Sequence, residues 1–301
     1  MRAFRLTLGF SAFVSSAACA GRQSSPDGIS RAACERDPRF SFVPGGAFVF
    51  GSSAAERDAA YRLSAQSAAN GADAQRESEH TLRARRFFDD EPLRSERVLR
   101  SFCIARRPVT QGEYAEFVRA TQHRSPWIDE NDWLAQGFSA HSYDEVRAYN
   151  WSERTPPRDT EQWPVVLVSL EDALDYARWR GAIDGRTYDL PTREEWEKSA
   201  RGTDGRIFPW GDAWRPDALH WNGTGIAHPT AVGAFAASRG PYGMEDAMGN
   251  TFEWTSSRDG ARAVLKGCAF DDLAGFCRAA YQHERLATSR HILIGFRLVS
   301  R

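Results

Sequence analysis

The chain has 301 residues, of which 42% are hydrophobic and 26% are charged, and its formal net charge is −1. This composition is that of a soluble globular protein and excludes a mainly disordered chain. A nearly neutral chain without a basic face or an acidic tail also argues against nucleic acid as a partner.

The first residues of the chain have the features of an export signal. Arg2 and Arg5 supply the positive start, residues 6–14 form a short apolar core, and small residues precede Cys19. The apolar run is too short to span a bilayer as a stable helix. We therefore expect residues 1–19 to direct export.

The end of this signal predicts how the chain is anchored. Small residues followed by Cys19 resemble a lipobox, in which the cysteine is acylated, and ordinary signal-peptidase cleavage near Ala18 or Ala20 is the alternative. Residues 20–39 then form a polar tether. We expect a bacterial cell-envelope protein, periplasmic or anchored as a lipoprotein, that contacts the membrane only through its N-terminal lipid.

Export would place the four remaining cysteines in an oxidising compartment, where disulfides persist. They are Cys34, Cys103, Cys268 and Cys277. Four cysteines allow three pairings, and the sequence alone does not choose among them. Because Cys34 precedes the first predicted strand and Cys103 lies on a later one, we favour a bridge between these two.

The next part of the chain begins with strands and continues with an insertion. Residues 40–51 predict two short strands around a Pro-Gly-Gly turn. Residues 53–90 are rich in Ala, Ser, Arg and Asp and lack a steady apolar period. We predict a variable surface insertion or mobile loop here, with a frayed helix at most.

Three helices have clear start signals. Each begins with a hydroxyl residue that an acid follows three positions later, and the pairs are Thr110 and Glu113, Ser169 and Asp172, and Thr192 and Glu195. The hydroxyl accepts a backbone N–H, and the acid suits the positive end of the helix. Gly181 and Gly202 stand where the second and third helices should end.

Beyond Gly202 the chain is dominated by turns with aromatic residues. Short strands are predicted at residues 264–266 and 294–299. Taken together, the elements predict the α+β class, with one core and little regular secondary structure.

Seven segments of the chain resemble the formylglycine-generating enzyme (sulfatase-modifying factor) family in order and spacing. They are FVPGGAFVFGS at 42–52, RPVTQGEYAEF at 107–117, WPVVLVS at 163–169, YDLPTREEWE at 188–197, FPWG at 208–211, GNTFEW at 249–254 and GFR at 295–297. The resemblance predicts a single domain over residues 40–301. It implies the family's α+β fold, which is related to C-type lectins, has sparse secondary structure and binds calcium.

The family hosts several roles, so its fold alone does not settle the function. Its founding members oxidise a substrate cysteine to formylglycine, using molecular oxygen and copper held by two cysteines. Relatives include part of the iron-dependent sulfoxide synthases, and others are exported lipoproteins that serve as structural or binding modules. The scattered histidines of this chain do not predict an iron site.

The resemblance places the copper site between residues 267 and 277. In copper-dependent members two cysteines lie five residues apart, shortly after a serine. Here the serine position is Ala269, the first cysteine position is Asp272 and the second is Cys277. Cu(I) is a soft ion that suits two thiolates, whereas a carboxylate is a hard ligand. We therefore expect no copper.

Cys268 leaves the fate of Cys277 open. It could replace the missing ligand only if the intervening loop folds back, and the two cysteines could equally form a disulfide or remain buried thiols. If the chain is an enzyme, Cys277 is the catalytic candidate, with Cys268 and Asp272 as weaker ones. The neighbouring acids Asp271 and Asp272 should face opposite ways on an extended segment.

The resemblance implies calcium rather than copper. Gly249, Asn250 and Glu253 stand at positions that supply oxygen ligands in the family, and Asn222 matches a second calcium asparagine. An oxygen-rich turn suits Ca²⁺. The alternative is that Asn250 and Glu253 only satisfy backbone donors in a tight turn.

These observations predict an exported, calcium-stabilised module without copper that binds a peptide or protein partner. One alternative is an oxidoreductase that uses copper and oxygen to convert a substrate cysteine to formylglycine, or a related side-chain oxidation. The other is a purely structural envelope lipoprotein. No phosphate-binding loop, zinc-protease motif or nucleophile elbow is present in the sequence.

Overall fold

The computed structural model describes residues 28–137 and 140–301, so the predicted export signal and Cys19 lie outside the described residues. The helices are α1 (Arg31–Glu35), α2 (Ala54–Ala68), α3 (Ala72–Ala84), α4 (Gln111–Thr121), α5 (Glu130–Ala135), α6 (Tyr143–Val146), α7 (Leu170–Asp184) and α8 (Arg193–Arg201). The strands are β1 (Phe40–Val43), β2 (Gly46–Phe50), β3 (Ser95–Leu99), β4 (Phe102–Ala105), β5 (Phe252–Asp259), β6 (Arg262–Lys266), β7 (Gln282–Leu286), β8 (Ile294–Phe296) and β9 (Val299–Ser300). This mixture of helices and short strands confirms the α+β class.

Short strands pair across long stretches of sequence. One sheet has the order β1-β4-β9, β2 pairs with β3, and a third sheet has the order β7-β6-β5-β8. The β5–β8 pair is parallel, and the other pairs are antiparallel. The strands predicted on either side of the Pro-Gly-Gly turn thus belong to different sheets.

The three predicted capping boxes are all present. Thr110, Ser169 and Thr192 each accept the predicted backbone N–H, and the acid three residues later accepts the N–H of the cap residue. Gly202 ends α8 as predicted. The prediction for Gly181 is wrong, because α7 continues to a left-handed Gly185, and Gly181 instead allows close packing against the carbonyl of Arg186.

The prediction of a loop over residues 53–90 is also wrong. A capping box formed by Ser53 and Glu56 begins α2, and α3 follows after a short turn. The few buried side chains of α2 are mostly small, and they are Ala60, Tyr61, Ser64 and Ala65. Small residues give a weak apolar period, yet they allow a helix to pack closely against other backbone.

A disulfide between Cys34 and Cys103 ties the N-terminal helix to the first sheet, with a Cα–Cα distance of 5.6 Å. This is the pairing that the sequence favoured. Within the described ranges, no helix has the length and apolarity needed to cross a membrane.

The core also contains charged side chains that are fully buried. Glu197 accepts hydrogen bonds from Lys266 at 2.9 Å and from Arg201 at 3.0 Å. Buried charges are tolerated when they are paired and hydrogen-bonded, as these are. The network fixes α8 against β6, immediately before the segment that contains Cys268.

Candidate functional site

The two cysteines of residues 268–277, here called the disulfide loop, are bonded to each other. Their Cα atoms are 5.1 Å apart, and neither side chain is exposed. The loop folds back through a short 3-10 turn at Ala274–Phe276. Of the alternatives that the sequence left open for Cys268 and Cys277, the structure has the disulfide.

Asp272, at the position of the first copper cysteine, lies in the same loop. Its Oδ2 atom accepts a 2.7 Å hydrogen bond from the backbone N–H of Ala269, and its own N–H donates to the Ala269 carbonyl. Desolvation raises the pKa of Asp272 well above its usual value, and the nearby Asp271 carboxylate adds to the rise. A protonated carboxyl is a still poorer ligand for Cu(I) than a carboxylate.

The expectation that the two acids face opposite ways assumed an extended segment, whereas the segment is a turn. Both Asp271 and Asp272 line a cavity of about 460 Å³, here called the inner cavity. Apolar side chains form most of its wall, including Phe252, Leu273 and Phe276. The polar part is formed by the two acids together with residues of β7 and of the segments on either side of it.

Those polar residues of the inner cavity are Tyr281, His283, Arg285 and His291. Burial lowers the pKa of His283 to about 3, and it lowers the pKa of His291 well below the usual value. Both imidazoles are therefore neutral at physiological pH. Sequence reasoning missed this cluster, although Tyr281, directly before β7, alternates with His283 and Arg285 within it, which was a signal that they share a face.

A second depression, here called the outer cleft, has a volume of about 640 Å³. Aromatic and apolar side chains dominate its lining, and they include Tyr149, Trp163, Phe270 and Ile292. The Trp163 ring stacks on His228 with 4.8 Å between ring centroids. Asp271 lines both depressions and so stands between them.

At this boundary His141 contacts Asp271. The Nε2 atom of His141 lies 2.9 Å from Oδ2 of Asp271. The hydrogen bond to Asp271 raises the pKa of His141, while burial opposes the rise. Burial also raises the pKa of Tyr149, another residue of the outer cleft, to about 12. The other oxygen of Asp271, Oδ1, is buried without a hydrogen-bond partner.

The predicted calcium residues are engaged with protein groups. Glu253 accepts hydrogen bonds from Trp196 at 2.7 Å and from Arg297 through both carboxylate oxygens. The Asn250 amide accepts from the backbone N–H of Thr230 and donates to its carbonyl. The side chains of Glu253 and Asn250 do not fit a Ca²⁺ site, since their oxygens already accept hydrogen bonds from an arginine, an indole and a backbone amide. They fit the alternative of a satisfied tight turn.

The two remaining calcium candidates have different surroundings. Gly249 has a φ of +86° and packs against the carbonyl of His220, so it lets two backbone segments approach. Asn222 is exposed, and its side-chain amide donates a 3.1 Å hydrogen bond to the backbone carbonyl of Asp271. Within residues 28–137 and 140–301, no three His, Cys, Asp or Glu side chains converge closely enough to hold a metal ion.

Comparisons with known proteins show what the chain is similar to. The chain is 32% identical over 217 residues to inactive C-alpha-formylglycine-generating enzyme 2 of Bos taurus, covering 61% of this chain and 69% of that protein. It is 30% identical over 214 residues to the formylglycine-generating enzyme of Mycobacterium tuberculosis, covering 57% and 69% of the two chains.

The fold of the chain is also similar to that of a solved structure. The structure of PvdO from Pseudomonas aeruginosa superimposes with a TM-score of 0.64 and 18% identity, covering 87% of this chain and 94% of PvdO. Residues 26–301 match the model of the family described as the sulfatase-modifying factor enzyme 1-like domain. The chain therefore belongs to the sulfatase-modifying factor enzyme 1-like family and has its formylglycine-generating-enzyme-like fold.

Proposed function

We propose that this chain is a copper-free binding module of the family, and that it takes a peptide segment of a partner protein in the outer cleft. The observation that carries the proposal is the disulfide between Cys268 and Cys277. A thiolate is the form of cysteine that binds metals, and a disulfide sulfur has no thiolate to offer. Cys277 in the disulfide is therefore not available as the copper ligand that its position in the family implies.

Reduction of the disulfide would not rebuild the family's pair of thiolates. The first cysteine position would still carry Asp272, whose oxygen is hard and whose raised pKa favours the protonated form. Cys268 stands at a glycine position of the family's motif rather than at either cysteine position. The donor set thus argues against the oxidoreductase alternative on chemical grounds.

The outer cleft supports the binding role. Its volume of about 640 Å³ is that of an ordinary ligand pocket, and its lining combines aromatic faces with a few polar groups. Tyr149 and Trp163 offer flat apolar surfaces, and His141 with Asp271 offers a polar end. Such a mixture fits an extended peptide with an apolar side chain in the cleft.

The relatives are compatible with either role. The bovine relative is named an inactive C-alpha-formylglycine-generating enzyme 2 and the mycobacterial relative a formylglycine-generating enzyme, at nearly the same identity to this chain. Overall similarity therefore does not separate module from enzyme, and the groups in the site must do so.

A selection experiment tests the binding role. Peptides selected from a displayed random twelve-residue library are measured by fluorescence anisotropy against the wild type and Trp163→Ala. Trp127→Ala is the control, since Trp127 is an exposed tryptophan outside the cleft. Loss of a tryptophan at the centre of an interface costs roughly 2 kcal/mol or more, which is about thirtyfold in Kd. Peptides that bind both variants like the wild type would contradict the proposed cleft.

The oxidoreductase alternative makes a separate prediction. It requires that the protein, supplied with copper and oxygen, convert a cysteine peptide that the M. tuberculosis enzyme converts. We expect no formylglycine by mass spectrometry, with the mycobacterial enzyme as positive control. Conversion that disappears in Cys277→Ser would overturn the proposal.

Export and lipid anchoring belong to the same proposal and need their own measurement. Metabolic labelling with a palmitate analogue should mark the full-length chain in a bacterial host, and Cys19→Ala should remove the label. A wild-type chain that is processed near Ala18 or Ala20 without a label would show simple secretion instead.

A further inference from the structure

The segment of residues 53–91, here called the helical insertion, packs directly on the disulfide loop. Ser64 and Ser67 project from α2, and their hydroxyls accept the backbone N–H groups of Gly275 at 3.1 Å and Ala274 at 3.2 Å. Two buried backbone donors of the loop therefore depend on side chains of the insertion. An unpaired buried donor costs free energy, so these two hydrogen bonds favour the state in which the insertion is docked on the loop.

Close backbone contact makes this docking specific. Gly275 lies against the carbonyl of Ala60 and the hydroxyl of Ser64, and a Cβ atom at this position would overlap both. Only glycine allows α2 to approach the loop this closely. The small residues of α2, which obscured the helix in the sequence, are those that the approach requires.

Aromatic and ionic contacts extend the same interface. Phe276 of the loop packs on Phe88 and Phe87 of the insertion, with ring centroids 4.9 and 5.4 Å apart. Glu91 forms a buried ion pair with Arg278, which also donates a 2.8 Å hydrogen bond to the Gly275 carbonyl. Separation of the insertion from the loop would expose these groups or leave them buried without partners, and both outcomes are unfavourable. The insertion and the loop should therefore move as one unit.

The insertion also forms one wall of the inner cavity. Leu82 and Phe87 contribute from the insertion, and Leu273 and Phe276 contribute from the disulfide loop. Movement of the insertion therefore changes both the packing on the disulfide loop and the shape of the cavity.

We propose that the helical insertion and the disulfide loop open together as one cooperative unit, here called the latch, and that this opening exposes the Cys268–Cys277 disulfide and changes the shape of the inner cavity. This role is independent of peptide binding in the outer cleft. It assigns a conformational function to the one segment that sequence reasoning treated as a variable surface loop.

Chemical reduction tests the latch with an internal control. The native protein is exposed to a water-soluble phosphine, which takes each disulfide to two thiols as the phosphine becomes its oxide. Free thiols are alkylated over time and located by mass spectrometry. We expect the Cys268–Cys277 bridge to be reduced at least tenfold faster in a Ser64→Ala, Ser67→Ala double variant than in the wild type. The rate at Cys34–Cys103 should not change.

A matched control and a second measurement keep the test decisive. Ser78→Ala removes a hydroxyl from α3 that, within the described residues, forms no hydrogen bond with the loop, and it should leave both rates unchanged. In the wild type, hydrogen exchange should give the same opening free energy for α2 and for residues 268–278, whether or not the double variant folds. Exchange of α2 with the loop still protected, or equal acceleration at both disulfides, would overturn the latch.

Discussion

Arg297 holds both carboxylate oxygens of Glu253, the residue that the sequence had assigned to calcium. Both side chains are fully buried. The Arg297 guanidinium also donates to the backbone carbonyls of Ala105, Arg106 and Glu245, so that one side chain joins β5 to two distant segments. This pair therefore has a structural role that needs no metal ion.

Removal of Arg297 should be strongly destabilising. Arg297→Met leaves the Glu253 carboxylate buried without its charge partner, which costs about 3–5 kcal/mol. Arg301→Met is the matched control, because Arg301 pairs with Glu195 while its side chain is 40% exposed, and such pairs contribute about 1 kcal/mol or less. Urea denaturation measures both. Equal losses in the two variants would contradict the structural role of the buried pair.

Calcium should not stabilise the protein. A ligand that binds only the folded state raises the unfolding midpoint as its concentration increases. Because the oxygens of Glu253 and Asn250 are engaged, we expect the midpoint in millimolar CaCl₂ and in EGTA to agree within about 1 °C. A saturable rise of several degrees with calcium would support the calcium site that the family resemblance implied.

The His141–Asp271 contact predicts a pH dependence. Asp271 raises the pKa of His141 in the folded state, so the contact contributes stability below the unfolded pKa of about 6.5, and this is lost as the pH rises through the folded pKa. The groups that face His141 are Asp271, Glu145 at 4.0 Å and the ring of His291.

Variants of His141 and Asp271 measure the stability that this contact contributes. His141→Gln should lower the free energy of unfolding by about 1 kcal/mol at pH 5.5, and the difference from wild type should shrink as the pH rises to 8.5. Asp271→Asn should reproduce this trend. A difference from wild type that grows with pH would refute the assigned sign.

The lysines offer a test of the core. Lysine occurs only at positions 198 and 266, and neither side chain is exposed. Burial lowers the pKa of Lys198 to about 8 and also lowers the pKa of Lys266. An amine-reactive ester should leave both unmodified in native protein and label both after denaturation. Rapid native labelling of Lys266 would contradict its buried pairing with Glu197.

The sequence predicts an element well when the residues that determine it lie close together in the chain. The capping boxes at Thr110, Ser169 and Thr192 lie within four residues, so their helices could be placed directly. Residues 53–90 could not be placed, since the partner of α2 is the loop around Gly275, more than two hundred positions later. Nothing within the segment shows that its alanines and serines are packed against backbone.

The candidate site likewise has features that the sequence predicts and features that it does not. The replacement of a copper cysteine by Asp272 is visible in the sequence, because it depends on a motif position. The pairing of Cys268 with Cys277, and the cavity that Asp271 and Asp272 both line, depend on a turn whose geometry the sequence left open. Contact between His141 and Asp271 joins residues 130 positions apart and has no local signature.

Titration of the purified, unreduced protein with Cu(I) in the presence of a colorimetric chelator distinguishes a copper-free module from a copper enzyme. With Cys277 bonded to Cys268, the protein should leave the copper on the chelator and show no free thiol at any of the four cysteines in the described residues. One tightly held copper ion per chain, lost in Cys277→Ser, would show instead that Cys277 is a copper ligand.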